Sequence, residues 1–125
     1  MLVGLGVDLV ETARVERLLY RYGGRFVHKL MDPEEEAHLP DSGPERVRGL
    51  SLAIAAKEAA SKALGTGWSR GVRWRDVVVK RGQPPSVQLR ARAAEVARER
   101  GSCGRCRTRL ALEGPLAIAE VWLLR

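Results

Sequence analysis

Residues 2–10 alternate in a strict period of two, with Leu2, Gly4, Gly6, Asp8 and Val10 on one side and Val3, Leu5, Val7 and Leu9 on the other. This pattern predicts a strand packed through its Val3/Leu5/Val7/Leu9 side. The two glycines leave the Asp8 side open to close approach by a ligand or another backbone. From Thr12, a candidate N-cap, to about Tyr22, the residues Val15, Leu18, Leu19 and Tyr22 recur at the spacing of a buried helical stripe. Arg14, Arg17 and Arg21 fall on another face, and Gly23-Gly24 ends the helix.

Asp32-Pro-Glu-Glu35 has the grammar of a helix start, with Asp at the N-cap, Pro at N1 and an acid at N3. Residues 40–46 read as a loop. A long alanine-rich helix is expected from about Val47 to Leu64, terminated by Gly65-Thr66-Gly67. Val72–Arg81 reads as a strand, Gly82–Pro85 as a turn, Val87–Leu89 as a short strand and Ala91–Arg100 as a helix. Arg107–Leu112 and Leu116–Leu124 form a closing hairpin around Glu113-Gly-Pro115. No repeat or linker interrupts the series. The expectation is one α+β domain over 1–125, a mostly antiparallel sheet packed against helices.

Composition narrows the function classes. Hydrophobic residues at 45% and charged residues at 30% describe a globular chain, and no apolar run approaches the ~20 residues of a bilayer span. The opening MLVGLGVDLV lacks a basic flank and meets Asp8 too early for a signal peptide, so the expected location is cytoplasmic, without a membrane partner. Twenty-two Lys and Arg against fifteen Asp and Glu give +7, which favours phosphate-rich ligands, nucleic acid or an acidic protein surface. A basic nucleic-acid-binding module is therefore an alternative. It is disfavoured by 5% aromatics and by the lack of any helix-turn-helix, finger, KH or RRM signature. Cys103 and Cys106 form a lone C-x-x-C, read as two reduced thiols in a Gly-rich turn, since one pair cannot complete a four-ligand zinc site.

The segment Ala55-Ala-Lys57-Glu58-Ala-Ala-Ser-Lys62-Ala-Leu-Gly-Thr-Gly67 carries the most chemistry. Glu58 and Lys62 are neighbours on one helical face, and on spacing alone they are an exposed i, i+4 ion pair. The apolar helix, its Gly-rich end and the solitary Asp8 admit a second reading. Two carboxylates from different elements suit Mg²⁺, which keeps several waters and leaves positions to phosphate oxygens, with Lys62 as a point charge for the same phosphates.

Gly4-Leu-Gly-Val-Asp8-Leu-Val-Glu11, the Ala55–Gly67 segment, Trp74-Arg-Asp76 and Gly82-Gln-Pro84 together resemble the successive signatures of the holo-(acyl carrier protein) synthases, the small bacterial branch of the phosphopantetheinyl transferases. The resemblance covers essentially the whole chain. It implies a phosphopantetheinyl-transferase fold and a Mg²⁺-dependent enzyme. Such an enzyme moves 4′-phosphopantetheine from coenzyme A to a serine of an acyl carrier protein and releases adenosine 3′,5′-bisphosphate. The carrier, fatty-acid or polyketide in type, is left open.

The resemblance assigns Asp8 and Glu58 to the metal and Glu58 and Lys62 to catalysis. Arg48, Lys62, Gly65, Gly67 and Pro84 go to coenzyme A, and Arg14, Arg21 and Arg25 to the acidic carrier. The base is either a metal-bound water or Glu58 acting through a water. A homotrimer with an active site at each subunit interface is implied, and nucleic acid is not a partner.

Two positions depart from the family. Ala53 stands where an Arg is common, and Arg48, about one-and-a-half turns upstream on roughly the same helix face, is the candidate replacement. Ala111-Leu112 stands where many members have a Ser/Thr-His pair, which admits a catalytically weak paralogue. His28 and His38 are expected at the surface, Trp68, Trp74 and Trp122 in the core or a subunit interface, and Glu34–Glu36 as acids complementing a helix dipole, with Glu35 also standing where the resembled family often has a Glu.

Overall fold

The computed structural model describes residues Met1–Arg125. Strand β1 (Leu2–Glu11) leads into helices α1 (Thr12–Tyr22), α2 (Gly24–Leu30) and α3 (Pro33–Ala37), then the long helix α4 (Gly43–Leu64). A 3₁₀ turn at Trp74–Asp76 precedes the hairpin β2 (Val77–Lys80) and β3 (Ser86–Leu89). Helix α5 (Ala91–Glu99), β4 (Cys106–Glu113) and β5 (Leu116–Leu124) complete the chain. The main sheet is antiparallel in the order β1-β5-β4, and β2-β3 is a separate antiparallel pair. The α+β, mostly antiparallel expectation holds.

Helix α4 is the centre of the molecule. Its six alanines from Ala53 to Ala63 are buried, and small side chains let its backbone lie close against the sheet. The strand that receives it is β1, through the side opposite to the one expected. A Cβ at Gly6 would lie 1.7 Å from the Ala59 carbonyl oxygen, and one at Gly4 2.0 Å from that of Ala63. Glycine is required where two backbones meet this closely. Leu5, Val7 and Leu9 therefore point away from α4 and are 50%, 48% and 58% exposed. Alternation located the strand but not its inner face, because both glycines sit on the face that makes the closest packing.

Cross-strand register extends that inner face, with Gly6 opposite Val121, Asp8 opposite Ala119 and Val10 opposite Ala117. Ala117, Ala119, Val121 and Leu123 are all fully buried against α4 and α5. Burial of each Val or Leu contributes about 1.5–3 kcal/mol. A second cluster, including Val15, Val27, Leu30, Met31, Leu50 and Ala53, joins α1 and α2 to the first half of α4.

Local expectations met several corrections. Thr12 is the first residue of α1, not its cap, and its hydroxyl donates to the Pro115 carbonyl in the turn between β4 and β5. Val15 is buried and Leu18 and Leu19 half-buried, but Tyr22 is exposed, because the helix stops beside it at Gly23. Helix α2 was not foreseen, since Gly23-Gly24 serves as a hinge between helices. Helix α4 begins at Gly43 with Pro44 in its first turn, so only 40–42 of the expected loop lies outside it. The strand expected over 72–81 is confined to Val77–Lys80. Asp32 does cap α3, accepting from the Glu34 N–H, while the Glu35 side chain closes the capping box.

Candidate active site

Because α4 lies on the glycine side of β1, the one acid on that side, Asp8, meets the last two turns of the helix. Lys62 donates from Nζ to Asp8 Oδ1 at 2.8 Å and to the Val7 carbonyl at 3.2 Å. The expected Glu58–Lys62 pair is thus replaced by a cross-element one: Lys62 reaches across to β1 and leaves Glu58 without an ion-pair partner. Asp8 is only 17% exposed, whereas the Lys62 side chain is 51% exposed, so the ammonium stands at a solvent boundary. Glu58 is half-buried one turn earlier.

Asp8, Glu58 and Lys62 line a single cavity of about 460 Å³. Arg14 from α1 reaches its wall, and its apolar lining includes Leu18, Phe26, Ile54 and Trp74. The arrangement offers two carboxylates, one anchored ammonium and one guanidinium around a half-apolar hollow. No group of three or more His, Cys, Asp or Glu side chains gathers as a closed metal site. The donor set suits a hard cation that retains water and shares phosphate oxygens rather than a four-ligand zinc site.

The other residues named from sequence stand elsewhere. Arg48 lines a shallow groove with Thr12, Ala13 and Glu16, apart from this cavity. It does not share a face with Ala53, since five residues along a helix leave a rotation of about 140°. Ala53 is buried in the second core cluster while Arg48 is exposed. Gly65 is the left-handed cap of α4 at φ +81, where a Cβ would lie 2.5 Å from Arg100 Nη1. Gly67 (φ +58) has open space around it. Pro84 is exposed in the β2–β3 turn. Arg21 lies over the Tyr22 ring at 5.4 Å, and Arg25 is exposed at the start of α2.

A larger cavity of about 570 Å³ lies between α3 and β2, lined by Glu34, His38, Lys80 and Arg81, and it contains none of Asp8, Glu58 or Lys62. Arg90 donates to Glu34, and together with Lys80 it holds that carboxyl below its ordinary range. Part of the chain's positive charge is neutralised locally: Arg70, Arg73, Arg90 and Arg92 are paired with Glu99, Asp76, Glu34 and Glu95. His28 and His38 are exposed, as expected.

Sequence reasoning passed over Lys57. It is fully buried, and its Nζ donates to Glu35 Oε1 at 2.9 Å, to the Trp74 carbonyl at 3.0 Å and to the Val77 carbonyl. Burial pulls the ammonium below its ordinary pKa, and Glu35 opposes that pull. Glu35 is therefore not a solvent-facing dipole acid. Its carboxylate accepts from Lys57, the Asp32 N–H and the Val79 N–H. The signal was present in the sequence: Ala53, Ala60 and Leu64 lie at i−4, i+3 and i+7 from Lys57, an apolar line for a lysine to share.

Comparison with known proteins bears on this geometry. The model of the 4′-phosphopantetheinyl transferase superfamily matches residues 4–111. The holo-[acyl-carrier-protein] synthase of Alkalilimnicola ehrlichii is 45% identical over 107 residues, covering 83% of each chain. The crystal structure of the synthase from Neisseria meningitidis superposes with a TM-score of 0.86 at 29% identity, covering 100% of both chains. That of the Bacillus anthracis synthase, in complex with CoA (3′,5′-ADP), gives a TM-score of 0.76 at 26% identity over 98% of this chain and 96% of that one.

Proposed function

Since this chain belongs to the 4′-phosphopantetheinyl transferase superfamily, among its holo-[acyl-carrier-protein] synthases, we propose that it transfers 4′-phosphopantetheine from coenzyme A to a serine of an acyl carrier protein, with Mg²⁺ and with release of adenosine 3′,5′-bisphosphate. The observation that carries this reading is the convergence of Asp8, Glu58, Lys62 and Arg14 on one cavity. The nucleotide in the Bacillus anthracis synthase structure supports coenzyme A as donor.

In this transfer the serine hydroxyl gives its proton to a base, a water or Glu58 through a water, and its oxygen bonds to the β-phosphorus as the bond to the leaving nucleotide phosphate breaks. Catalysis of such a step rests on positioning and charge neutralisation. Asp8 and Glu58 would hold Mg²⁺, which when bound supplies charge neutralisation at the diphosphate. Lys62 is pinned at its Nζ by Asp8 and the Val7 carbonyl, and its half-exposed ammonium presents a fixed positive charge to phosphate oxygens. A pinned charge needs no reorganisation as negative charge develops. Arg14, at the wall of the same cavity, would meet the acidic carrier and steer its serine inward.

The reading includes a homotrimer with sites at the subunit interfaces. Its support is the outer face of the main sheet, which no helix covers. Rows across the strands place Leu5, Trp122 and Arg107 together, then Val7, Glu120 and Arg109, then Leu9, Ile118 and Ala111. An exposed apolar stripe beside a central acid and two arginines suits association between copies. A less active synthase is the second reading. Ala53 is buried and Leu112 is exposed and apolar, so neither offers a cation or an imidazole to the substrate.

The test is incubation of apo-carrier with coenzyme A and Mg²⁺, followed by intact mass. Gain of one phosphopantetheine that disappears in EDTA supports the reading. No gain, with coenzyme A still bound, moves the chain to the second.

A further inference from the structure

The buried ion pair Glu35–Lys57 joins four elements and bonds the backbone of Trp74, which lines the active-site cavity with Glu58, yet neither member of the pair lines it. Lys57 and Glu58 are consecutive on α4, so their side chains leave the helix about 100° apart. Fixing the Lys57 ammonium to three acceptors on α3, the 3₁₀ turn and β2 therefore fixes the rotation of α4, and with it the direction of Glu58. One of those acceptors is the carbonyl of Trp74, a residue that lines the cavity and whose ring stacks on Trp68 with centroids 4.0 Å apart. The pair is saturated: both Glu35 oxygens are used, Oε1 by Lys57 and the Asp32 N–H, Oε2 by the Val79 N–H.

We propose that Glu35 and Lys57 are positioning residues, which refer the carboxylate of Glu58 and the Trp74 wall to one buried ammonium and so set the spacing across the cavity. Packing alone does not require a charge here. Apolar replacements of buried ion pairs are often neutral or stabilising, so a pair kept in an alanine-rich helix points to directional demand. Three hydrogen bonds from one ammonium supply direction, which apolar contacts do not.

The proposal rests on the transferase reading for the role of Glu58, but its test does not depend on turnover. The variants are Glu35→Gln, which keeps an acceptor and a similar shape, and Val96→Ala, which removes buried volume from α5 without touching the cavity. The probe is Mn²⁺ alone, with binding followed by electron paramagnetic resonance at a temperature where circular dichroism shows each variant folded. Transfer kinetics are measured beside it where the wild type turns over. The expected result is at least a fivefold loss of Mn²⁺ affinity in Glu35→Gln, with a comparable fall in kcat and carrier KM within twofold of wild type. Val96→Ala should lower the melting temperature while leaving Mn²⁺ affinity within twofold.

Wild-type Mn²⁺ affinity in Glu35→Gln, or an equal loss in Val96→Ala, overturns the proposal. So does a wild type whose Mn²⁺ binding is indifferent to Glu58→Gln. A wild type that binds Mn²⁺ through Glu58 but modifies no carrier moves the chain to the less active reading, and the comparison of Glu35→Gln with Val96→Ala still decides the positioning role.

Discussion

Replacing Gly6 with alanine is the smallest change that probes how the site is assembled. The added Cβ would sit 1.7 Å from the Ala59 carbonyl oxygen and 2.7 Å from its carbon, both backbone atoms of α4. Real Cβ contacts stay above 3.0 Å, so helix and strand must separate by more than an ångström. Overpacking of this kind costs about 1–3 kcal/mol where side chains can yield. Here two backbones must yield, which places Gly6→Ala at the upper end, about 3 kcal/mol.

For a domain of 125 residues that is a fall in melting temperature on the order of 10 °C. The separation also acts on chemistry, because Asp8 belongs to the strand while Glu58 and Lys62 belong to the helix. Misplacement by an ångström costs roughly 100-fold in rate. The assay pairs thermal unfolding with initial rates of carrier modification, using Gly24→Ala, where nothing lies within 4 Å of the new Cβ, as the control. A Gly6→Ala protein with the melting temperature and rate of Gly24→Ala would refute both the close approach and its role in joining the site.

Three further outcomes follow from particular contacts. Arg14→Ala should raise KM for the carrier roughly fivefold, equivalent to about 1 kcal/mol, with coenzyme A KM unchanged; equal change in both constants contradicts a docking role. Val7→Asp places a second acid beside Glu120, in the exposed Leu5/Val7/Leu9 stripe along β1, and should yield monomers in sedimentation velocity, whereas an unchanged mass removes that face from the assembly. Burial pushes the Cys106 thiol up to about 11. Its alkylation should therefore lag behind that of exposed Cys103 at pH 8 and rise about tenfold per pH unit up to that value. Peptide mass mapping after timed iodoacetamide treatment reads it, and equal labelling at pH 8 contradicts it.

Much of this architecture was legible in the amino-acid sequence, for identifiable reasons. Asp32-Pro-Glu-Glu35 names its own capping geometry, because caps are local. The strand at residues 2–10, which runs one residue further to Glu11, and the closing hairpin follow from alternation, and the end of α4 from Gly65. The orientation of β1 was not legible, because period two gives two faces and only the approach of α4 decides which is inner. The partner of Lys62 was hidden for the same reason: i, i+4 spacing favours Glu58, while the tertiary fold brings Asp8 to 2.8 Å. Arg48 stands apart from the Ala53 face because five residues along a helix rotate a side chain by about 140°. Lys57 and Glu35 are 22 positions apart, a pairing that no local rule connects.

The account stands on Asp8 and Glu58 acting as one site across two elements, and a double-substitution cycle tests this most directly. Initial rates of carrier modification would be compared for Asp8→Asn, Glu58→Gln and the double variant, all confirmed folded by circular dichroism. Each single change should cost roughly 100- to 1,000-fold, and the double should lose no more than about threefold beyond the worse single, as expected of groups that work as a unit. Losses that multiply in the double variant, or a single change that leaves the rate intact, would contradict it.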